Sequence, residues 1–280
     1  MPVIDIKKYF AVHPDHAKTF NTQQLREHFL LGNIFTLGEV SLFYSHYDRM
    51  IAGGAMPGKE KIYLPTPDVL KASYFLERRE MGIVNVGESG VVTVDVKGYL
   101  LESKEALYIG RGAKEISFAN QAGQQALFYL NSCPAHAEYP SKKISLSEAE
   151  TVTLGSQENA NHRTIRKLIV QSTVKTCQVQ MGMTELHSGS IWNTMPPHTH
   201  DRRMEVYFYF NVPEGNAVCH FMGELHETRH IWMQNHQAVW SPPWSIHAGA
   251  GSATYTFIWG MAGENLDYTD MDGVKINELQ

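Results

Sequence analysis

The chain contains no uninterrupted apolar run of about eighteen residues, the length a membrane-crossing helix needs. Its first residues, MPVIDIKKYFAVHPDHAKTF, set no apolar segment behind a basic head. Neither a membrane span nor a secretory signal is therefore expected. Cysteine is scarce: Cys133, Cys177 and Cys219 are odd in number and widely spaced, as in a protein of the reducing cytoplasm. Charge is not gathered into blocks. With 24 Lys and Arg against 29 Asp and Glu, the net charge is −5, which argues against nucleic acid as a partner. Helical periodicity is scarce too. Its best instance is NTQQLREHFLL, where Asn21 or Thr22 can cap and Leu25 and Phe29 share a face.

What the chain does have is length, apolar content and many short strand-like runs. Its 280 residues, 43% hydrophobic, are enough for one large or two medium domains. Runs such as GIVNVGESGVVTVDV, ALFYLN, KLIVQS, EVYFYFNV, AVCHFMG and ATYTFIWGM alternate or are wholly apolar, and Gly, Pro and Asn separate them. Short strands at regular spacing predict an all-β fold built of sandwiches or barrels, with a few short helices. The halves also echo each other. ERREMGIVNVGESGVVTVDVKGYLLESKEALYIGRG lines up with DRRMEVYFYFNVPEGNAVCHFMGELHETRHIWMQN, sharing an acidic residue, a double arginine, a Gly-bearing turn, and Gly98 against Gly223. This order implies a duplicated β unit. The polar stretch 137–163 is the expected boundary, giving domains 1–150 and 151–280.

One segment points to chemistry. In PPHTHDRRMEVYFYF, His198 and His200 are one residue apart and Glu205 follows five later. Residues two apart on a strand share a face, so the two imidazoles project together, and Glu205, Tyr207 and Tyr209 form a second aligned set. In a chain with 14 histidines a His-x-His pair arises roughly once by chance, so the pair alone carries little. The addition is SPPWSIHAG, a Pro-rich turn bearing His247 at the head of another strand. Three imidazoles and a carboxylate suit a borderline divalent cation, Zn²⁺ foremost, with Fe²⁺, Mn²⁺, Co²⁺ and Ni²⁺ as alternatives.

His-x-His, Glu, a Gly-containing turn and a Pro-initiated turn carrying a third His together resemble the two-motif signature of the cupin superfamily. Trp244 stands where a glycine is common, and the interval from Gly189 to His198 is longer than usual. Across nearly the whole chain, SHYDRMIAGGAMP, FLERREMGIVNVGESGVV, YIGRGAKEISF, MPPHTHDRRMEVYFYF, SPPWSIHAGAG and FIWGMAGENLDYTDMD are similar to the 4-deoxy-L-threo-5-hexosulose-uronate ketol-isomerases of bacterial pectin breakdown. The resemblance implies a bicupin and zinc held by His198, His200, Glu205 and His247. It also implies a cytoplasmic enzyme, a homohexamer, acting on a small uronate.

The implied reaction is an aldose-to-ketose isomerisation, through either an enediolate or a hydride shift. An enediolate route needs a base and a hydrogen-bonding group for the oxygens, and strand parity nominates Tyr207 and Tyr209, with His220 and Glu224 on the next strand and turn. Packing in a barrel core is the alternative role for each. Arg202 and Arg203 are candidates for the substrate carboxylate, although the same pair recurs as Arg78 and Arg79, so that structural ion pairing is the alternative role for both pairs. The ending GENLDYTDMDGVKINELQ, with Tyr268, is a candidate lid or subunit contact. Two rival functions share the ligand set: an iron cupin oxygenase and a sugar-acid-binding cupin without turnover. Trp192, Trp232, Trp240, Trp244 and Trp259 all lie in the second half, more than one barrel interior needs, so some are expected at a subunit interface. The first half has no counterpart of the histidine motifs, so one metal per chain is expected.

Overall fold

The computed structural model describes residues 6–280 and is predominantly β. It divides into two compact units, the first of 6–9, 33–150 and 168–181, the second of 10–32, 151–167 and 182–280.

In the first unit a seven-stranded sheet runs in the order Lys7–Tyr9, Glu39–Ser45, Ile51–Met56, Phe128–Pro134, Arg79–Asn85, Ala106–Ile109 and Lys142–Ile144. A four-stranded sheet, Ile62–Tyr63, Ile116–Asn120, Gly90–Val94 and Lys97–Leu101, completes it. Leu42, Ile51, Ile83 and Leu130 from the larger sheet meet Val92 and Phe118 from the smaller in one buried cluster. Each such side chain contributes about 1.5–3 kcal/mol by leaving water.

The second unit repeats the plan. Its seven strands run Glu150–Leu154, Arg163–Ile169, Gln180–Leu186, Thr256–Gly263, Arg203–Phe210, Gln237–Ser241 and Leu30–Leu31. Its four run Trp192–Asn193, Ala248–Gly251, Val218–Glu224 and Glu227–Met233. The strand orders match at the first six positions of the larger sheet and throughout the smaller, with Arg79–Asn85 and Arg203–Phe210 in equivalent places; the seventh differs, since Lys142–Ile144 follows the other strands of its sheet in the chain and Leu30–Leu31 precedes those of its own. The echo in the sequence is therefore an echo in topology.

The units are not the two halves cut at residue 150. Residues 10–32 join the second unit: Leu30 and Leu31 pair with Val239 and Ala238, the Trp244 indole donates to the Val12 carbonyl at 3.2 Å, and Arg26 donates to the Trp232 carbonyl at 3.1 Å. Residues 168–181 join the first, where the buried Glu80 carboxylate accepts from the backbone N–H groups of Cys177, Gln178 and Val179 at 2.7–2.8 Å and from the Tyr108 hydroxyl at 2.7 Å. The helix expected over NTQQLREHFLL spans Thr22–Phe29. Asn21 is its cap, in a reciprocal capping box with Gln24.

A second difference concerns Arg203–Phe210. Its alternation reads as half-buried, yet all eight residues are buried, so Met204, Val206, Phe208 and Phe210 on the opposite face are out of water as well. Among the described residues no helix is long and apolar enough to cross a membrane.

Candidate metal centre

Three short elements of the second unit place the ligands. His198 opens His198–Thr199, which pairs with Asp272–Gly273 of the C-terminal tail. His200 follows in the turn, and Glu205 lies on Arg203–Phe210 opposite Ser241 and Met261. His247 immediately precedes Ala248–Gly251, where small residues are required: a Cβ at Gly249 would lie 2.6 Å from Asn193 Nδ2 and 3.1 Å from the Tyr209 hydroxyl.

The four side chains converge, one ligand atom from each lying within 4.8 Å of every other. The His198 Nε2 is 3.0 Å from both His200 Nε2 and His247 Nε2, and Glu205 Oε2 is 2.7 Å from His247 Nε2. A carbonyl oxygen can only accept, so His200 Nδ1, 2.7 Å from the Asp270 carbonyl, carries the proton and leaves Nε2 with its lone pair facing the centre. His247 Nδ1 is likewise engaged by Ser241 Oγ at 3.2 Å. Glu205 Oε2 is buried with no properly aligned hydrogen-bond donor. Three imidazole nitrogens and an unsatisfied carboxylate oxygen aimed at one point form a donor set that a divalent cation satisfies and that protein groups alone do not.

The electrostatics agree. Burial, with His247 adding to it, pushes the His198 imidazole down to about 2, so it stays neutral and able to coordinate. For Glu205 burial works against the charge, yet the nearness of the His247 and His200 rings outweighs it and holds the carboxyl well below its ordinary range.

The cluster lies in the wall of a cavity of about 310 Å³. Of the residues nominated from the sequence, Tyr207 and Arg203 also line it. The Tyr207 hydroxyl is 3.1 Å from Thr194 Oγ1, and burial raises it well above the ordinary tyrosine value, so it remains protonated. Tyr209 and His220 are not brought to the cavity. They bond each other at 2.8 Å deeper in the barrel, where burial pushes His220 down to about 3. Glu224 ends Val218–Glu224, is exposed and does not line this cavity. Arg202 points outward to Asp270 at 3.2 Å, while Arg203 is buried and donates to the carbonyls of Asp267, Tyr268 and Asp270. Those bonds fasten the tail beside His200.

Sequence reading missed Arg163, Thr194 and Trp259 as cavity-lining groups, whereas Tyr268, in the ending read as a candidate lid, does line the cavity. Arg163 is half-buried, and Nη1 donates to the Asn161 carbonyl at 2.8 Å. Burial lowers its pKa, and the titratable groups beside it are the tyrosines 207, 268 and 255 rather than a carboxylate. Nothing in KLIVQS or the residues before it marks the position. Only the fold brings that strand beside the ligands.

Comparison with known proteins gives a consistent picture. A family model described as the KduI/IolB family matches residues 35–275. A protein of Formosa agariphila named 4-deoxy-L-threo-5-hexosulose-uronate ketol-isomerase is 58% identical over 272 residues, 97% of each chain. A protein of Escherichia coli with the same name is 50% identical over 273 residues, 96% of this chain and 98% of that one. Among solved structures, an IolB-like protein of Salmonella typhimurium superposes with a TM-score of 0.70 at 16% identity, covering 88% of this chain and 96% of that one.

Proposed function

The chain belongs to the KduI/IolB family, and on that premise we propose that it is a metal-dependent ketol-isomerase converting 5-dehydro-4-deoxy-D-glucuronate to 3-deoxy-D-glycero-2,5-hexodiulosonate in pectin and uronate breakdown. The observation that carries this reading is the set of four convergent ligands in the wall of a cavity that also holds a hydroxyl pair and an arginine without a carboxylate partner. We assign one Zn²⁺ per chain to His198, His200, Glu205 and His247. When bound, the cation supplies Lewis acidity toward the aldehyde and the adjacent hydroxyl.

In the reaction one hydrogen moves from C2 to C1 and one proton passes between the two oxygens, so the aldehyde becomes a hydroxymethyl group and the carbinol a ketone. Tyr207 is the chain's candidate for the oxygen-bound proton: its neutral hydroxyl, paired with Thr194, can donate at one oxygen as it accepts from the other. Tyr209 and His220 support it from behind. The substrate carboxylate falls to Arg163, whose guanidinium retains unused donors facing tyrosines, whereas Arg203 is spent on the tail and Arg202 lies outside. Phe257, Trp259 and Met261 supply the apolar wall that keeps bulk water from the reacting carbons.

The enzyme is read as a cytoplasmic homohexamer, in keeping with its dispersed charge, its three free cysteines and a Trp232 side chain 53% exposed. The direct test is turnover of the unsaturated-uronate product of an oligogalacturonate lyase, followed by NMR. Conversion of the aldehyde signal to a hydroxymethyl ketone is expected. Oxygen uptake, or tight binding without conversion, would refute the assignment.

A further inference from the structure

The first unit has a cavity of its own, about 340 Å³, lined by Tyr44, Phe75, Pro134 and three arginines, Arg49, Arg78 and Arg79. It holds no histidine motif, but its charge balance is unusual. Arg79 is only 6% exposed. Its Nε donates to Ser132 Oγ at 3.1 Å, and its Nη2 to the carbonyls of Arg49 and Ser132 at 2.7 Å. Its Nη1 has no hydrogen-bond partner among the described residues. Among the described residues no carboxylate offsets its charge: burial pushes the guanidinium down to about 10, and the influences countering this are Cys133 and Tyr44.

The second unit supplies the internal control. Arg203 begins Arg203–Phe210 as Arg79 begins Arg79–Asn85, and the two pair across the sheet with Gly263 and Pro134 respectively. Yet Arg203 has Glu205, Asp270 and Asp267 around it. In the first unit Met81 stands where Glu205 would be. Of the acids nearby, Glu77 lies 3.8 Å from Arg78 and Asp68 is held by Lys71 at 2.6 Å. Arg78 gives its Nη2 to the carbonyls of Leu70 and Lys71, and the exposed Arg49 side chain makes no bond among the described residues. A buried guanidinium with no counter-charge costs several kcal/mol unless something compensates it. Three guanidinium groups around an open space fit an oxyanion, which offers planar or tetrahedral oxygens to their paired donors.

We propose that this cavity is an anion-binding site, taking the carboxylate or phosphate group of a small molecule through Arg79, Arg49 and Arg78. The site is independent of the assignment made for the second unit. The test uses the full-length protein with inorganic phosphate and D-galacturonate as separate probes, read by calorimetric titration and by the thermal midpoint. Saturable binding is expected from at least one probe, and the stronger response identifies the source as phosphate or carboxylate. The double variant Arg49→Gln, Arg78→Gln, altered only at exposed residues, should bind at least tenfold more weakly while keeping wild-type turnover. A crystal soaked in the better probe should show it within hydrogen-bond distance of Arg79 Nη1. The proposal fails if neither probe binds saturably, if the double variant binds as tightly as wild type, or if the soaked anion occupies only the cavity of the second unit.

Discussion

At the scale of single residues, the ligand assignment makes a sharp demand on His247, which lies 49 positions from His198 yet touches it at 3.0 Å. His247→Ala should lose bound metal and at least about a hundredfold of activity together, since losing even an outer-shell partner of a ligand commonly costs 10–100-fold. Full metal content at full rate in that variant would remove His247 from the site. Arg163→Gln should leave metal content intact and raise KM roughly ten- to hundredfold, the worth of charge-assisted hydrogen bonds of about 1.5–3 kcal/mol, with a smaller effect on kcat. An unchanged KM would return the carboxylate to another group. The clustering of the four candidate ligands was legible because three of them fall within eight residues and the fourth carries a recognisable Pro-rich turn. Arg163 was not, because a lone arginine on a strand has no local signature. A double arginine beside a site looks like an anion fork, but Arg203 fastens the tail and Arg202 faces solvent, which is why the carboxylate is proposed for Arg163.

At the scale of elements, two features support the ligands. Ala248–Gly251 is built of small residues so that Asn193, Tyr209 and Tyr255 can close on it, and a Cβ at Gly249 would fall 2.6 Å from Asn193 Nδ2. Gly249→Ala should therefore destabilise the protein by about 1–3 kcal/mol through overpacking, measured by denaturant unfolding. A change within error would mean the neighbours yield freely. The tail is the second feature, since the Asp270 backbone carbonyl accepts a hydrogen bond from His200 Nδ1 and Asp272–Gly273 pairs with His198–Thr199. A chain ending at residue 264 should hold its metal roughly 10–100-fold more weakly in chelator competition, the usual cost of losing an outer-shell acceptor. Unchanged affinity would make the tail a bystander. Here the sequence was informative about type and poor about partnership. The strands and the Asn21-capped helix follow from periodicity and capping, but nothing in residues 10–32 announces that they join the second unit. Their attachment rests on backbone pairing with Val239 and Ala238, which no local pattern encodes.

At the scale of the whole molecule, duplication is the organising fact: two barrels whose strand orders match except at one edge of the larger sheet, of which the second holds all four converging ligands. The exposed Trp232, with a 53% accessible side chain, fits a surface that another copy covers. Light scattering at working concentration should therefore report an oligomer, with a hexamer as the expected mass. A monomer would contradict it. The central claim, one catalytic metal per chain held by His198, His200, Glu205 and His247, is tested most directly by restoring activity to chelator-stripped protein with measured additions of Zn²⁺. Turnover should rise in proportion to added metal and level off at about one equivalent per chain. Full turnover in the stripped protein, or a plateau near two equivalents, would contradict it.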